Sequence, residues 1–122
     1  MFRDAPRSAY VQKFLILLKE LQYVDPEFPL QYSICLAEIS MNEGLSLTQL
    51  SEKTGLSLST VSRIVGALSD YRKNKQPYGF IKLEVSKQER RRKELYLTEK
   101  GVALMEKITE KLEEPVDTKK TA

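Results

Sequence analysis

Residues 46–68, SLTQLSEKTGLSLSTVSRIVGAL, contain two sets of helix-capping signals separated by one glycine. Ser46 with Gln49 three residues later is a capping box, which predicts that a helix starts at the next residue. Gly55 stands where that helix would end in a left-handed residue, and Ser57 offers a second N-cap. Two capped helices joined by a short turn that contains glycine predict a helix-turn-helix.

The second helix of this motif, predicted over residues 58–72 within a motif spanning 46–72, has two different faces. Its buried stripe is expected to be Val61, Ile64, Val65 and Leu68, which follow an i, i+3, i+4, i+7 spacing. Small side chains on the other face would let the helix enter the DNA major groove, where hydroxyls bond phosphates or bases and arginine reaches guanine. The alternative is a helix packed on both sides. The outward face is predicted to contain Ser59, Thr60, Ser62, Arg63, Gly66 and Ala67, and the candidate DNA contacts are Ser57, Ser59, Thr60, Ser62 and Arg63.

Residues 80–97 predict a β-wing after the helix-turn-helix. Residues 80–85 (FIKLEV) alternate as a half-buried strand, and residues 95–97 repeat the alternation. The loop between them, residues 86–92 (SKQERRR), suits the narrow and negative minor groove. An isolated arginine run is more often a solvated loop, but its place after a helix-turn-helix favours a wing. The candidate wing contacts are Lys87, Gln88, Arg90, Arg91 and Arg92, and Lys73 and Lys75 upstream are expected to hold phosphates.

Three further segments have helical spacing. Residues 8–24, with Ser8 as N-cap, carry enough apolar area for a second core contact or a dimer interface. A helix near residues 30–41 has an apolar line, and residues 98–114 form a last helix capped by Thr98. The prediction is a mainly α protein with a small β-wing (α+β), a single winged-helix domain over 1–114, and a disordered tail at 115–122. The apolar line of the second helix is Leu30, Ile34, Ala37 and Met41.

Charge is concentrated in the middle of the chain. Residues 57–101 carry eleven Lys/Arg against five Asp/Glu, a net charge of +6, whereas residues 1–56 carry −2 and residues 102–122 carry −1. A basic middle between acidic ends is typical of a protein that binds a polyanion, with an uneven solvated surface as the alternative.

The cysteine and histidine counts exclude several kinds of site. With one cysteine and no histidine, one chain cannot build a zinc site, a Ser-His-Asp triad or a Cys-His pair. No glycine-rich phosphate loop is present, so we predict no enzyme activity, no cofactor and no metal. Cys35 is predicted to be a buried small hydrophobe. The chain shows neither a membrane span nor a signal-peptide pattern, which together with the single cysteine predicts a cytoplasmic protein with no membrane partner.

Three segments follow one another along the chain: LTQLSEKTGLSLSTVSRIVGAL, the basic wing and LYLTEKG. This order resembles the MarR family of bacterial winged-helix transcription regulators over roughly residues 30–112. The resemblance implies a homodimer that binds specific double-stranded DNA, with helix 58–72 in the major groove and wing 86–92 in the minor groove. The family wing commonly reads like DPRDRR; here Ser86 replaces the first Asp and Glu89 keeps the acid. The resemblance also implies that one arginine, Arg90, enters the groove and that Arg91 pairs with the acid.

The sequence also departs from the family pattern. It ends soon after its final helix, where family members often have a further dimerisation helix, so it resembles a C-terminally short variant. Helices 8–24 and 98–114 remain as candidate dimer interfaces. A small-molecule effector is compatible with this interpretation, but no residue pattern points to one. The alternative function is a winged-helix protein-interaction module, for example a phage or plasmid protein that binds a host protein with little specific DNA binding.

Overall fold

The computed structural model of this protein describes residues 5–70 and 75–115, and these form five helices and three strands. Helices α3 (Leu47–Thr54) and α4 (Leu58–Ser69) form the helix-turn-helix, and strands β2 (Ile81–Val85) and β3 (Lys93–Leu97) form the wing that follows it. The predicted α+β winged helix-turn-helix fold is therefore confirmed. In chain order the elements are α1 (Ala5–Val24), α2 (Leu30–Met41), β1 (Leu45–Ser46), α3 (Leu47–Thr54), α4 (Leu58–Ser69), β2 (Ile81–Val85), β3 (Lys93–Leu97) and α5 (Glu99–Glu113).

The chain divides into two compact units. The described residues of the first unit are 5–28 and 105–115, which comprise α1 and the second half of α5. The second unit, residues 29–104, contains α2, the helix-turn-helix, all three strands and the start of α5. The helix-turn-helix and the wing therefore belong to one unit.

In the first unit, α1 starts at Ala5, three residues before the predicted start. Ser8 is therefore inside the helix, and its prediction as the N-cap is wrong. Much of the apolar surface of this helix faces solvent, and no helix in the described ranges is both long and apolar enough to cross a membrane. Its exposed apolar side chains are Tyr10, Val11, Phe14, Leu15, Leu18 and Tyr23.

An ion pair joins the two parts of the first unit. Lys107 on α5 places its Nζ 3.4 Å from Oε2 of Glu20, the one buried residue of α1, and 5.7 Å from the ring centroid of Tyr23. Ile108 on α5 is also buried. Burying a carboxylate costs free energy unless it is paired, and Glu20 Oε2 has no hydrogen-bond partner, so the ion pair with Lys107 offsets only part of this cost.

The core of the second unit lies where α2, α3, α4 and the base of the sheet meet. Leu50 of α3 and Ile64 and Leu68 of α4 are fully buried. Burial of each such side chain stabilises the fold by roughly 1.5–3 kcal/mol relative to exposure. The other buried apolar residues of this unit are Cys35, Leu36, Ile39, Leu45, Val61, Val65, Ala67, Tyr78, Phe80, Ile81 and Leu95.

Helix α2 packs with a different face from the apolar line that the sequence suggests. The predicted line is exposed, and Met41 at its end is 70% exposed. The helix has apolar side chains on more than one side, and spacing alone cannot decide which side packs. The exposed line consists of Leu30, Ile34, Ala37 and Met41.

Cys35 lies on the buried face of α2, as predicted. Burial, with a smaller contribution from the Glu38 carboxylate, raises the pKa of its thiol to about 11. The thiol is therefore neutral near pH 7 and has the low reactivity of a buried cysteine.

The sheet is antiparallel, with the strand order β1-β3-β2. Strand β1 was not predicted, because two residues are too few to show an alternating pattern and they pair only with the distant strand β3. Strand β2 is also less buried than predicted. Ile81 is buried, but Leu83 is 37% and Val85 59% exposed, since the outer half of the wing extends beyond the core.

The start of α5 is fixed to the segment before β2. Thr98 caps the helix as predicted: its Oγ1 accepts the Gly101 N–H at 3.0 Å and donates to the Gly79 carbonyl at 2.7 Å. A Cβ atom at Gly101 would overlap the carbonyl group of Phe80. Gly101 therefore permits a close backbone approach, a role that its sequence position did not reveal. The helix itself spans Glu99–Glu113, slightly shorter than predicted.

Candidate nucleic-acid interface

The caps predicted for the helix-turn-helix are all present. Ser46 Oγ accepts the Gln49 N–H at 3.1 Å, and Gln49 Oε1 accepts the Ser46 N–H at 3.0 Å. Gly55 ends α3 with φ of 74°, the left-handed conformation that glycine adopts without strain. Ser57 Oγ accepts the Thr60 N–H at 3.2 Å and so caps α4. These local bonds set the angle at which α4 leaves the turn.

Three of the predicted contact residues, Ser57, Ser59 and Thr60, are hydrogen-bonded to one another at this cap. Besides accepting the Thr60 N–H, the Ser57 hydroxyl donates to Thr60 Oγ1 at 2.9 Å and lies 3.2 Å from Ser59 Oγ. Ser57 and Thr60 therefore have a structural task at the start of α4, whatever else they contact.

The faces of α4 mostly follow the prediction. Its buried stripe is the predicted one, and Ser59, Ser62 and Arg63 are exposed on the opposite side. Two details differ. Ala67 is buried instead of facing outward, and the helix ends at Ser69, capped by Asp70, instead of at residue 72. The polar face of α4 is therefore confined to its first half.

Ser86 organises the tip of the wing. Its side chain is buried, and its Oγ accepts the N–H groups of Gln88 and Glu89, both at 3.2 Å. The Ser86 N–H donates to the Arg92 carbonyl at 2.8 Å, and the Arg92 N–H donates to the Glu89 carbonyl at 2.9 Å. A serine hydroxyl can accept the same loop N–H groups that an aspartate carboxylate would accept, so the departure from the DPRDRR pattern keeps the turn closed.

The arginine that is tied to the fold is Arg92. Its Nη2 donates to Oε1 of Gln49 on α3 at 2.9 Å, and its Nε is buried without a hydrogen-bond partner. Within the described part of the chain, Arg91 forms no ion pair with Glu89, so the pairing implied by the family resemblance is absent. Arg90 and Arg91 extend into solvent.

A cleft of about 710 Å³ separates the helix-turn-helix from the wing. Three predicted contacts line it: Ser62 from α4, and Arg91 and Arg92 from the wing. The other seven lining residues were not predicted as DNA contacts. These seven are Ser46, Leu47, Thr48, Gln49, Leu58, Glu89 and Lys93.

The remaining predicted contacts lie outside this cleft. Lys73 falls outside the described residues. The others are exposed, except Thr60, which is half-buried; they are Ser57, Ser59, Thr60, Arg63, Lys75, Lys87, Gln88 and Arg90.

A patch around Tyr96 on the sheet is acidic. Glu84 and Glu94 are direct cross-strand partners, and the Tyr96 hydroxyl donates to Glu94 Oε1 at 3.2 Å. Partial burial, this hydrogen bond and the carboxylates of Glu94, Glu84 and Glu43 raise the pKa of Tyr96. A polyanion would be repelled here. Among the described residues, no group of three or more Cys, Asp or Glu side chains is placed to hold a metal ion.

Comparison with known proteins supports the fold. A model of the IclR helix-turn-helix domain matches residues 39–72, which include α3 and α4. No curated protein sequence gives a significant match. The matching family model is thus that of IclR, and no family model supports the MarR resemblance.

Solved structures match most of the chain. The S. aureus MepR-DNA complex is 20% identical with a TM-score of 0.67, covering 86% of this chain and 79% of that chain. RV1404 from Mycobacterium tuberculosis is 20% identical with a TM-score of 0.68, covering 86% and 67%. Apo MarR from E. coli is 17% identical with a TM-score of 0.62, covering 88% and 73%. At these identities the likeness establishes the winged helix-turn-helix fold.

Proposed function

We propose that this chain is a DNA-binding transcription regulator that recognises specific double-stranded DNA. One observation carries the proposal: Ser62 on the polar face of α4 and the wing cations Arg91, Arg92 and Lys93 border the same cleft, which also includes Glu89, while the carboxylates of the sheet cluster around Tyr96. The match to a helix-turn-helix model and the fold shared with the MepR-DNA complex support it.

We assign the major groove to the first half of α4. Arg63 is exposed and has the length to reach guanine O6 and N7, and the exposed hydroxyls of Ser59 and Ser62 can bond bases or phosphates. Ser57 and Thr60 hold the helix start, so their expected contribution is to fix its angle. The small residues of this face leave room for close approach to the base edges.

We assign the minor groove to the tip of the wing. Arg90 and Arg91 are exposed cations on a loop closed by Ser86, and Lys87 and Gln88 flank them. A narrow minor groove attracts arginine through its enhanced negative potential. Arg92 is tied to Gln49 and so holds the wing in position. Lys75, exposed before β2, together with Lys73, is proposed to contact phosphates.

The proposed assembly is a homodimer formed through α1. Its exposed face includes Tyr10 and Phe14, which are 74% and 60% exposed, and apolar patches of this kind mark protein interfaces. A two-fold dimer would present two copies of α4 about 34 Å apart, one turn of DNA. Phe14→Glu should be a monomer in analytical ultracentrifugation. A variant with the mass of the wild-type dimer would show that the dimer contact does not involve this face of α1.

The test of DNA recognition begins with selection of bound sequences from a random duplex library. Arg63→Ala should weaken binding to the selected site by roughly 1–3 kcal/mol and affect a random duplex less. Lys82→Ala is the matched control, because it also removes one positive charge. Lys82 lies on the sheet, with its Nζ 3.3 Å from Oε1 of Glu84. Equal losses for Arg63→Ala on both duplexes would contradict the assignment of Arg63 to the bases.

Phosphate contacts have a separate signature. Neutralising Lys75 should lower affinity for all duplexes and reduce the slope of log affinity against log salt by about one. An unchanged slope would show that Lys75 does not contact a phosphate.

The exposed apolar line of α2 favours a second candidate, a protein-interaction module. Leu30, Ile34 and Met41 are exposed within the helix-turn-helix unit and could bind an apolar segment of a partner protein. A gel shift on random duplex DNA at low salt separates the candidates. Absence of binding there would favour the interaction module over the DNA-binding regulator.

A further inference from the structure

We propose that Leu58 makes the protein specific for thymine by packing against the thymine C5-methyl group in the major groove. The inference rests on the proposed DNA binding and adds a base preference to it. Leu58 is the first residue of α4 and is 50% exposed.

The exposure of Leu58 is not explained by the fold. Its position three residues before Val61 would extend the buried stripe of α4, yet the stripe is complete without it. Its neighbour Ser57 supplies the cap. Where a hydrophobic contact reinforces an N-cap, it joins the residue before the cap to the fourth helical residue, here Leu56 and Val61, and so does not involve Leu58.

The position of Leu58 suits contact with a base. A helical side chain is tilted toward the helix N-terminus, and the N-terminal residues of a recognition helix contact base edges. Leu58 lines the cleft together with Leu47, with Thr48 and Ser62, which have hydroxyls, and with Glu89, Arg91 and Lys93 of the wing. It therefore offers a half-exposed apolar surface in a cleft whose other lining residues, apart from Leu47, are polar or charged.

Only one base has an apolar group on its major-groove edge. The thymine methyl is contacted by apolar side chains, whereas the other edges present hydrogen-bond donors and acceptors. Burial of one methyl-sized group corresponds to about 0.8 kcal/mol, or about a fourfold change in affinity. The chemistry thus identifies a thymine near the start of α4 in each half-site.

The experiment replaces each thymine of the selected site by deoxyuridine, which removes only the methyl group. Wild-type protein should bind about fourfold more weakly at one position of each half-site. Leu58→Ala should bind the thymine and deoxyuridine duplexes equally at that position. Because Leu58 is exposed, this variant should unfold near the wild-type temperature, which a thermal melt checks. Met41→Ala, which truncates an exposed apolar side chain on α2, should keep the fourfold difference.

Two results would overturn the inference while leaving the proposed function intact: a deoxyuridine substitution without effect at every position, or a penalty that persists in Leu58→Ala. Failure to select any specific duplex would instead refute the proposed function, and this inference with it.

Discussion

Removal of the Gln49 side chain should loosen the wing, because one oxygen of this residue serves two hydrogen bonds. Oε1 accepts the Ser46 N–H at 3.0 Å and the Arg92 Nη2–H at 2.9 Å. A net hydrogen bond is worth roughly 1 kcal/mol, and the exposure of the pair keeps the charged bond near that figure. Gln49→Ala should therefore cost about 2 kcal/mol and Arg92→Ala about 1 kcal/mol.

The interaction between the two side chains can be isolated by a double-mutant cycle. Urea unfolding of the two single variants and the double variant should give a coupling energy of about 1 kcal/mol between positions 49 and 92. Gln49→Glu should keep most of the stability, since a carboxylate accepts both bonds.

The control cycle pairs Gln49→Ala with Arg91→Ala. Arg91 lines the same cleft, but its guanidinium is not bonded to Gln49, so these two effects should add within about 0.5 kcal/mol. A coupling for Arg92 no larger than that for Arg91 would refute the idea that this bond holds the wing.

Three further predictions concern single residues. Gly101→Ala should destabilise the protein by about 1–3 kcal/mol in urea unfolding. The clash of the new Cβ with the Phe80 carbonyl outweighs the roughly 1 kcal/mol of helix propensity that alanine gains. A more stable variant would contradict the close approach of the two backbones. Ser86→Ala should speed amide exchange at the wing tip and cost about 1 kcal/mol, whereas Ser86→Asp should not; equal exchange in both variants would contradict the role of the hydroxyl. The pKa of Cys35 is raised in the folded state to about 11, above the value of about 8.5 for an unfolded thiol. The buried neutral thiol therefore makes its full contribution to the free energy of unfolding below about pH 8.5, and this contribution is lost as the pH rises toward 11. Wild-type stability should therefore fall more steeply over this range than that of Cys35→Ala, and parallel curves would contradict the shift.

The parts of the fold that sequence predicts best are those made by neighbours in the chain. The capping box of Ser46, the left-handed Gly55 and the cap at Ser57 depend on residues at most four positions apart, so residue types and spacing were sufficient. The buried stripe of α4 was also predictable, because its apolar residues occur on only one face over several turns.

The features that the sequence did not predict depend on residues that are far apart in the chain. The buried side of α2 is selected by α3 and α4, and strand β1 exists only because β3 pairs with it. The role of Gly101 depends on the Phe80 backbone, some twenty residues earlier. For the candidate site, sequence identified the cations of the wing but could not tell that Arg92, and not Arg91, is bonded to the fold. The DNA contacts themselves stay predictions.

Ser46 takes part in two elements at once, and this affects how the protein opens. It pairs with Glu94 in the sheet and caps α3, so the base of the wing and the first helix of the motif share one residue. We expect their amides to exchange with solvent through one common opening, as a single cooperative unit. This unit contains α3 and the base of the wing, and α4 follows α3 across the turn at Gly55. If α4 and the wing bind DNA as proposed and the unit stays closed, the DNA must deform to fit the protein, and easily bent sequences gain an advantage even at positions that no side chain touches.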